Sequence, residues 1–337
     1  PLQSVQADAA PTIQHVDLSN EADSAAALDR FCAQASVHDF VLTQAPLARV
    51  SLLKMGDGST VVHLVVSHLI FDGWASSVML EDLATAYQAR CRAQAPQWPA
   101  AESPLVFGQA ETSRWDGPQG QEDLAFWKQA LQNAPQPVTL GDRQPPSPRL
   151  FTADTLKAQF DGPLLSALQQ KAKQAKATLF QVMLTAVAML VQRRTGQEDM
   201  ILSIPFASQG LARHGALIGD GVLDLPLRIT CRANTSFDAL LPHVKSQLLD
   251  ALEHPLATQG SVARAIGRPS IGSRPPLTGV FFNFNPRVNL NGFAPLQASM
   301  VEARKLGLLS QVIFNFYDNA DALTLDLHHS TEFFSPQ

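Results

Sequence analysis

Cysteine is scarce in this chain: Cys32, Cys91 and Cys231 are the three in 337 residues, far apart and odd in number. They form no Cys-x-x-Cys pair and no zinc spacing, which predicts reduced, buried thiols in a cytoplasmic protein. A basic block is missing too. With a net charge of -5, nucleic acid is not an expected partner. No window approaches the ~18 uninterrupted apolar residues of a membrane span, so no membrane partner is expected either. Pro1 to Ala10 lack the basic start and apolar centre of a secretory leader. His63 and His68 are not at His-Glu-x-x-His spacing, and no glycine-rich phosphate loop occurs, so no metal site is expected. Ala207-Ser208-Gln209-Gly210 lacks the first glycine of a hydrolase nucleophile elbow.

What is present describes a globular protein with ample core, 45% apolar and 16% charged. Its length suits two ordinary domains, or two lobes sharing a cleft. The chain has no initiator Met and opens in a polar Ala/Gln/Ser stretch, which predicts a fragment or missing preceding residues. The order of elements reads as mixed α+β, without a repeat. Asn20 is the candidate cap of a helix over 21–35, and Gly56-Asp57-Gly58 turns a hairpin between strands 47–55 and 60–67. A helix over 73–93 follows, then an irregular stretch over 104–120 and a short helix over 122–133. Residues 135–148 contain five prolines and read as a linker between two lobes, 1–148 and 149–337. The second lobe should hold strands over 152–160, 200–205, 222–230, 280–285, 311–317 and 323–329. Its helices should cover 163–176, 179–194 and 236–252, with Thr178 and Gly196 as the caps of the middle one and a bend at Pro242. His328-His329 reads as strand surface.

The most informative stretch runs from Val61 to Trp74. Val61-Val62-His63-Leu64-Val65-Val66 has the β-branched, apolar character of a buried strand. The chain turns polar at Ser67 and His68, and Asp72-Gly73 marks a tight turn before Met79, Leu83 and Tyr87, which share one helix face. A histidine thus sits at the end of a rigid strand, beside a loop that an acidic residue can brace. A strand-end histidine with no chemistry fits the same pattern.

The order His68-x-x-x-Asp72-Gly73, with Ser67 before it, resembles the His-His-x-x-x-Asp-Gly motif of condensation domains in nonribosomal peptide synthetases and related acyltransferases. Other segments resemble that family in the family's own order. They are Phe126-Trp127-Lys128, the stretch from Gly196 to Pro205, and the stretch from Leu217 to Arg228, which is similar to Ile-Gly-x-Phe-Val-Asn-Thr-x-x-x-Arg. The last departs at the Phe and Asn positions, now Gly221 or Asp220 and Asp224. Arg274-Pro275-Pro276-Leu277-Thr278-Gly279-Val280-Phe281-Phe282-Asn283 matches a late pattern loosely. The family's opening section and last helix are not represented.

The resemblance implies two chloramphenicol-acetyltransferase-like lobes in a V, with a tunnel between them and carrier proteins docking at either end. It implies transfer of a donor acyl or peptidyl thioester to an amine or hydroxyl acceptor. No cofactor is bound directly, because both substrates ride on phosphopantetheine arms, and the chain is a monomeric domain or part of a multidomain synthetase. His68 is then the catalytic residue, taking or orienting the proton of the attacking amine. Gly73 either contributes its N–H to an oxyanion or is a plain turn glycine. Asp72 braces the loop, in the family by pairing with an arginine of the opening section. Ser67 stands where the family usually has its first histidine. Trp74 lines the tunnel or packs in the core, and Asn283 and Ser310 are tunnel candidates. Two further readings stay open: a docking module that binds carriers without condensing, and a free-standing acyltransferase using coenzyme A.

Overall fold

Alternating strands and capped helices build the chain in order: β1 (Ile13–Asp17), α1 (Ser24–Ser36), β2 (Ala48–Lys54), β3 (Thr60–Val66), α2 (Gly73–Cys91), α3 (Pro104–Asp116), α4 (Pro118–Ala130), β4 (Ala153–Phe160), α5 (Gly162–Gln174), α6 (Leu179–Thr195), β5 (Asp199–Ala207), β6 (Val222–Thr230), α7 (Phe237–Glu253), α8 (Gln259–Ala265), β7 (Val280–Asn285), β8 (Val312–Asp318) and β9 (Leu323–Ser330). The computed structural model describes residues 3–6, 8–37, 39–211, 214–268, 277–301, 304–319 and 322–335. Arg274, Pro275 and Pro276 of the late motif lie outside the described residues. No single described helix is long and apolar enough to cross a membrane.

Contacts divide the chain into two units: Pro1–Gly108, Gln209–Gly221 and Leu290–Leu306 form the first, and the remainder forms the second. In the first, β1 runs parallel and β3 antiparallel to the central β2. The β2–β3 hairpin pairs Lys54 with Thr60 across a turn in which Gly58 takes φ +83°, a conformation that favours glycine. Leu18, Ala27, Leu53 and Met55 make a small core between this sheet and α1. The cap of α1 is Asp23, whose carboxylate accepts from Ala26 N at 2.9 Å, three residues later than the expected Asn20.

The second unit holds a six-stranded sheet in the order β4-β9-β8-β7-β5-β6, parallel at β5–β7 and β7–β8 and antiparallel elsewhere. α6 is apolar nearly all round: it buries Leu184, Val187, Ala188 and Val191 in the core that includes this sheet, and Val182 in a cluster with Ala172 and Leu241. A capping box between Thr178 and Gln181 starts this helix, and Gly196 at φ +71° ends it, as expected. α7 continues through Pro242.

Four expectations are corrected here. Residues 104–120 are not irregular, because α3 fills most of them and α4 begins at Pro118; both helices open on a proline, which suits a first turn whose N–H has no partner. The proline-rich stretch packs along the second unit, where Val138 is fully buried and its carbonyl accepts from Gln311 Nε2 at 2.8 Å. Contacts therefore assign 109–148 to the second unit, whereas a division after residue 148 gave them to the first. His328 is no surface residue: it is fully buried, with Nδ1 2.9 Å from Thr155 Oγ1. Of the cysteines only Cys231 is buried; Cys91 is exposed and Cys32 half-buried, and all three are thiols.

Candidate active site

β3 delivers the motif. Ser67 N donates to Leu47 O at 2.9 Å, closing the end of the hairpin, and the chain leaves the sheet there in a single 3₁₀ turn, His68–Ile70. The Ser67 side chain makes no capping bond to that turn. His68 is thus mounted at the exit of a paired strand, with its side chain 72% exposed. Its Nδ1 lies 3.5 Å from Asp220 Oδ2. That contact holds the imidazole pKa above its ordinary value; partial burial opposes the shift, and the Asp220 charge, the residue's own backbone and the more distant Asp72 add to it. His63, in the middle of β3, goes the other way, because burial and then Arg49 lower its pKa.

Asp72 organises the arm that follows. It is 5% exposed and caps α2 through Oδ1, which accepts from Ala75 N at 2.9 Å. Oδ2 accepts from Gln209 Nε2 at 2.7 Å and from Gly221 N at 2.9 Å. An amide side chain and a backbone N–H thus occupy the carboxylate that the family pattern assigns to an arginine. Gly221 is one of the departures from that pattern, and the structure supplies its reason: a Cβ at this position would lie 2.6 Å from Gln209 Cδ. Gln209 is fully buried, so it makes room for a side chain only by giving up its bond to Asp72. Gly221→Ala is expected to cost about 1–3 kcal/mol, read as a lower urea midpoint, by the overpacking and lost hydrogen bond it imposes.

The segment carrying these partners is itself fastened. Glu102 Oε2 lies 2.7 Å from His214 Nδ1, and its Oε1 accepts from Ala216 N at 3.0 Å. Trp74, 36% exposed, donates its indole N–H to Gly215 O at 3.0 Å; it clasps this segment and does not pack in the core. Gly73 begins α2 with nothing within 4 Å of where a Cβ would stand. Packing therefore does not demand glycine there, and the helix start stays open to a close approach.

Sequence reasoning brought His68, Asp72, Gly73 and Trp74 to one place, and the structure joins them in the first unit. Asn283 and Ser310 belong to the second. Asn283 donates to Asn315 Oδ1 at 2.9 Å, and Ser310 is buried with no hydrogen-bond partner for its hydroxyl among the described residues. Gln209, Asp220 and Gly221 were missed as partners of the motif. The signal was faint: Gln209 lay in a stretch dismissed as a failed nucleophile elbow, and Asp220 and Gly221 read only as departures from a pattern. Among the described residues, no three His, Cys, Asp or Glu side chains gather as a metal site requires.

A family model for the condensation domain matches residues 1–336. Malpinin synthetase of Mortierella alpina is 28% identical over 277 residues, 80% of this chain and 4% of that protein. Phosphinothricin tripeptide synthetase PhsC of Streptomyces viridochromogenes is 30% identical over 262 residues, 75% of this chain and 24% of the relative. The chain thus spans a small part of the length of these relatives. Among solved structures, the first condensation domain of the CDA synthetase superposes with a TM-score of 0.87 at 20% identity, covering 98% of this chain and 72% of that one.

Proposed function

The chain belongs to the condensation-domain family, and from that premise we propose that it joins a carrier-bound acyl or peptidyl thioester to an amine, or a hydroxyl, in the assembly of a nonribosomal or hybrid peptide. The observation that carries this reading is the exposed His68, set on a rigid strand exit and backed by a carboxylate. Neutral imidazole is the side chain best matched to a proton transfer near pH 7. As the acceptor nitrogen bonds to the thioester carbonyl, its proton passes to His68; when the C–S bond breaks, the proton goes to the departing thiolate. The Gly73 N–H, at the positive end of α2, is placed to favour the oxyanion between these steps. Holding both tethered substrates in register supplies much of the remaining acceleration. Donor and acceptor carrier domains are the partners, and phosphopantetheine arms bring the substrates. Ser310, whose hydroxyl has no partner among the described residues, and Asn283 are the substrate-facing candidates of the second unit.

Ser67 favours a second reading. A hydroxyl replaces the ring that usually stands there and lacks its volume and reach. A chain that docks carriers without condensing is consistent with that change. The readings separate in one assay: load a donor acyl chain on a carrier, supply an amine or alcohol acceptor, and follow product by mass spectrometry. Product from a carrier-bound donor supports condensation. Carrier binding with no product under any pairing supports docking, and product from acyl-CoA alone points to a free-standing transferase.

A further inference from the structure

We infer that Asp220 is a positioning residue for His68: its carboxylate holds ring nitrogen Nδ1 and leaves Nε2 as the nitrogen presented to substrate. The catalytic part of this inference rests on the condensation reading; the structural part does not. A ring that is 72% exposed would otherwise sample several rotamers, and Asp220 Oδ2, 3.5 Å from Nδ1 and so within ion-pair range, is the group placed to restrict it. Asp220 is in turn held from both sides. The next residue, Gly221, gives its N–H to Asp72 at 2.9 Å. On the other side Leu217 is fully buried, and Glu102 grips His214 and Ala216. The buried Asp72 therefore acts at a distance: by fastening Gly221 it places Asp220, and Asp220 places His68.

A carboxylate on Nδ1–H selects the tautomer with its lone pair on Nε2 and makes that nitrogen more basic. The proton taken from the acceptor rests on Nε2 and leaves for the thiolate. Among the described residues, the charged groups acting on the ring are Asp220 and Asp72. The Asp72 carboxylate is occupied by three donors of its own, so direct support of Nδ1 falls to Asp220.

The test combines a titration with kinetics on the full chain. With ¹⁵N-labelled histidine, His68 should titrate above the ordinary imidazole value and favour the Nδ1–H form. Asp220→Asn and Asp220→Ala should lower that pKa and mix the tautomers, while Asp220→Glu should keep it raised. The buried His63 serves as the internal check that each variant is folded. In the carrier assay, kcat should fall about tenfold or more in the Asn and Ala variants with KM little changed, and the acid limb of the pH profile should move to lower pH. An unchanged His68 titration would overturn the inference, and so would a shifted titration with kcat intact. If the native chain makes no product with any pairing, the condensation reading fails, and the titration still decides whether Asp220 holds the ring.

Discussion

His68→Ala should slow carrier-dependent product formation about 10²- to 10⁴-fold, the range that one well-placed acid–base group contributes, while leaving the fold as stable as before. The two halves of that expectation have one structural cause. The ring projects from a 3₁₀ turn and is 72% exposed, so its removal opens no cavity and strips no core contact. The turn is held by backbone bonds, Ser67 N to Leu47 O and Ile70 N to Ser67 O, which alanine keeps. The loss should therefore fall on kcat, as for a group whose interaction is made in the transition state. The pH dependence has a definite sign. The proposed proton transfer needs the neutral ring, and the Asp220 contact raises the His68 pKa, so the native rate should climb with pH through a limb lying above that of an unperturbed imidazole. In His68→Ala that limb should vanish. Undiminished turnover in the variant would remove His68 from the mechanism.

The elements best anticipated from sequence are those whose ends carry their own chemistry. β6 and β7 fall on the expected residues, and Thr178 and Gly196 bracket α6 because a capping box and a left-handed glycine are local devices, readable without the rest of the fold. α3 and α8 were not foreseen. α3 opens on Pro104, and a proline reads as a breaker unless its place at a helix start is known. α8 is seven residues long, too short for an apolar period to emerge. The division into units was hidden for a different reason. Residues 209–221 pack with the first unit although their neighbours in sequence pack with the second, and no composition shift announces such an excursion. The site shows the same split. His68, Asp72 and Gly73 sit within six residues of one another and form a pattern, whereas Gln209 and Gly221 reach Asp72 from 137 and 149 residues away. A contact at that range leaves no periodic trace in a single sequence.

Asp72→Ala should be the most destabilising single change at the motif, on the order of 3–7 kcal/mol: about 1 from the lost helix cap and about 1–3 for each of two buried donors left without an acceptor. The donors are Gln209 Nε2 and Gly221 N–H, and neither has a route to water while the segment stays in place, since Gln209 is fully buried. The damage should begin locally. Amide hydrogen exchange should speed up at Ala75 and Gly221 first, and the urea midpoint should fall with it. Asp72→Asn separates the two duties of the carboxylate. Asparagine still offers one oxygen to Ala75 N, so the start of α2 survives, but its Nδ2 is a donor and opposes both Gln209 Nε2 and Gly221 N–H. Its exchange should therefore rise at Gly221 and stay slow at Ala75. Because Gly221 fixes Asp220, both variants should also lose activity while His68 itself is intact, and the His68 pKa should drift down toward its ordinary value. Slow exchange at Gly221 in Asp72→Ala, with an unmoved urea midpoint, would mean that the 209–221 segment is held by Glu102 and Trp74 alone and that Asp72 is no more than a helix cap.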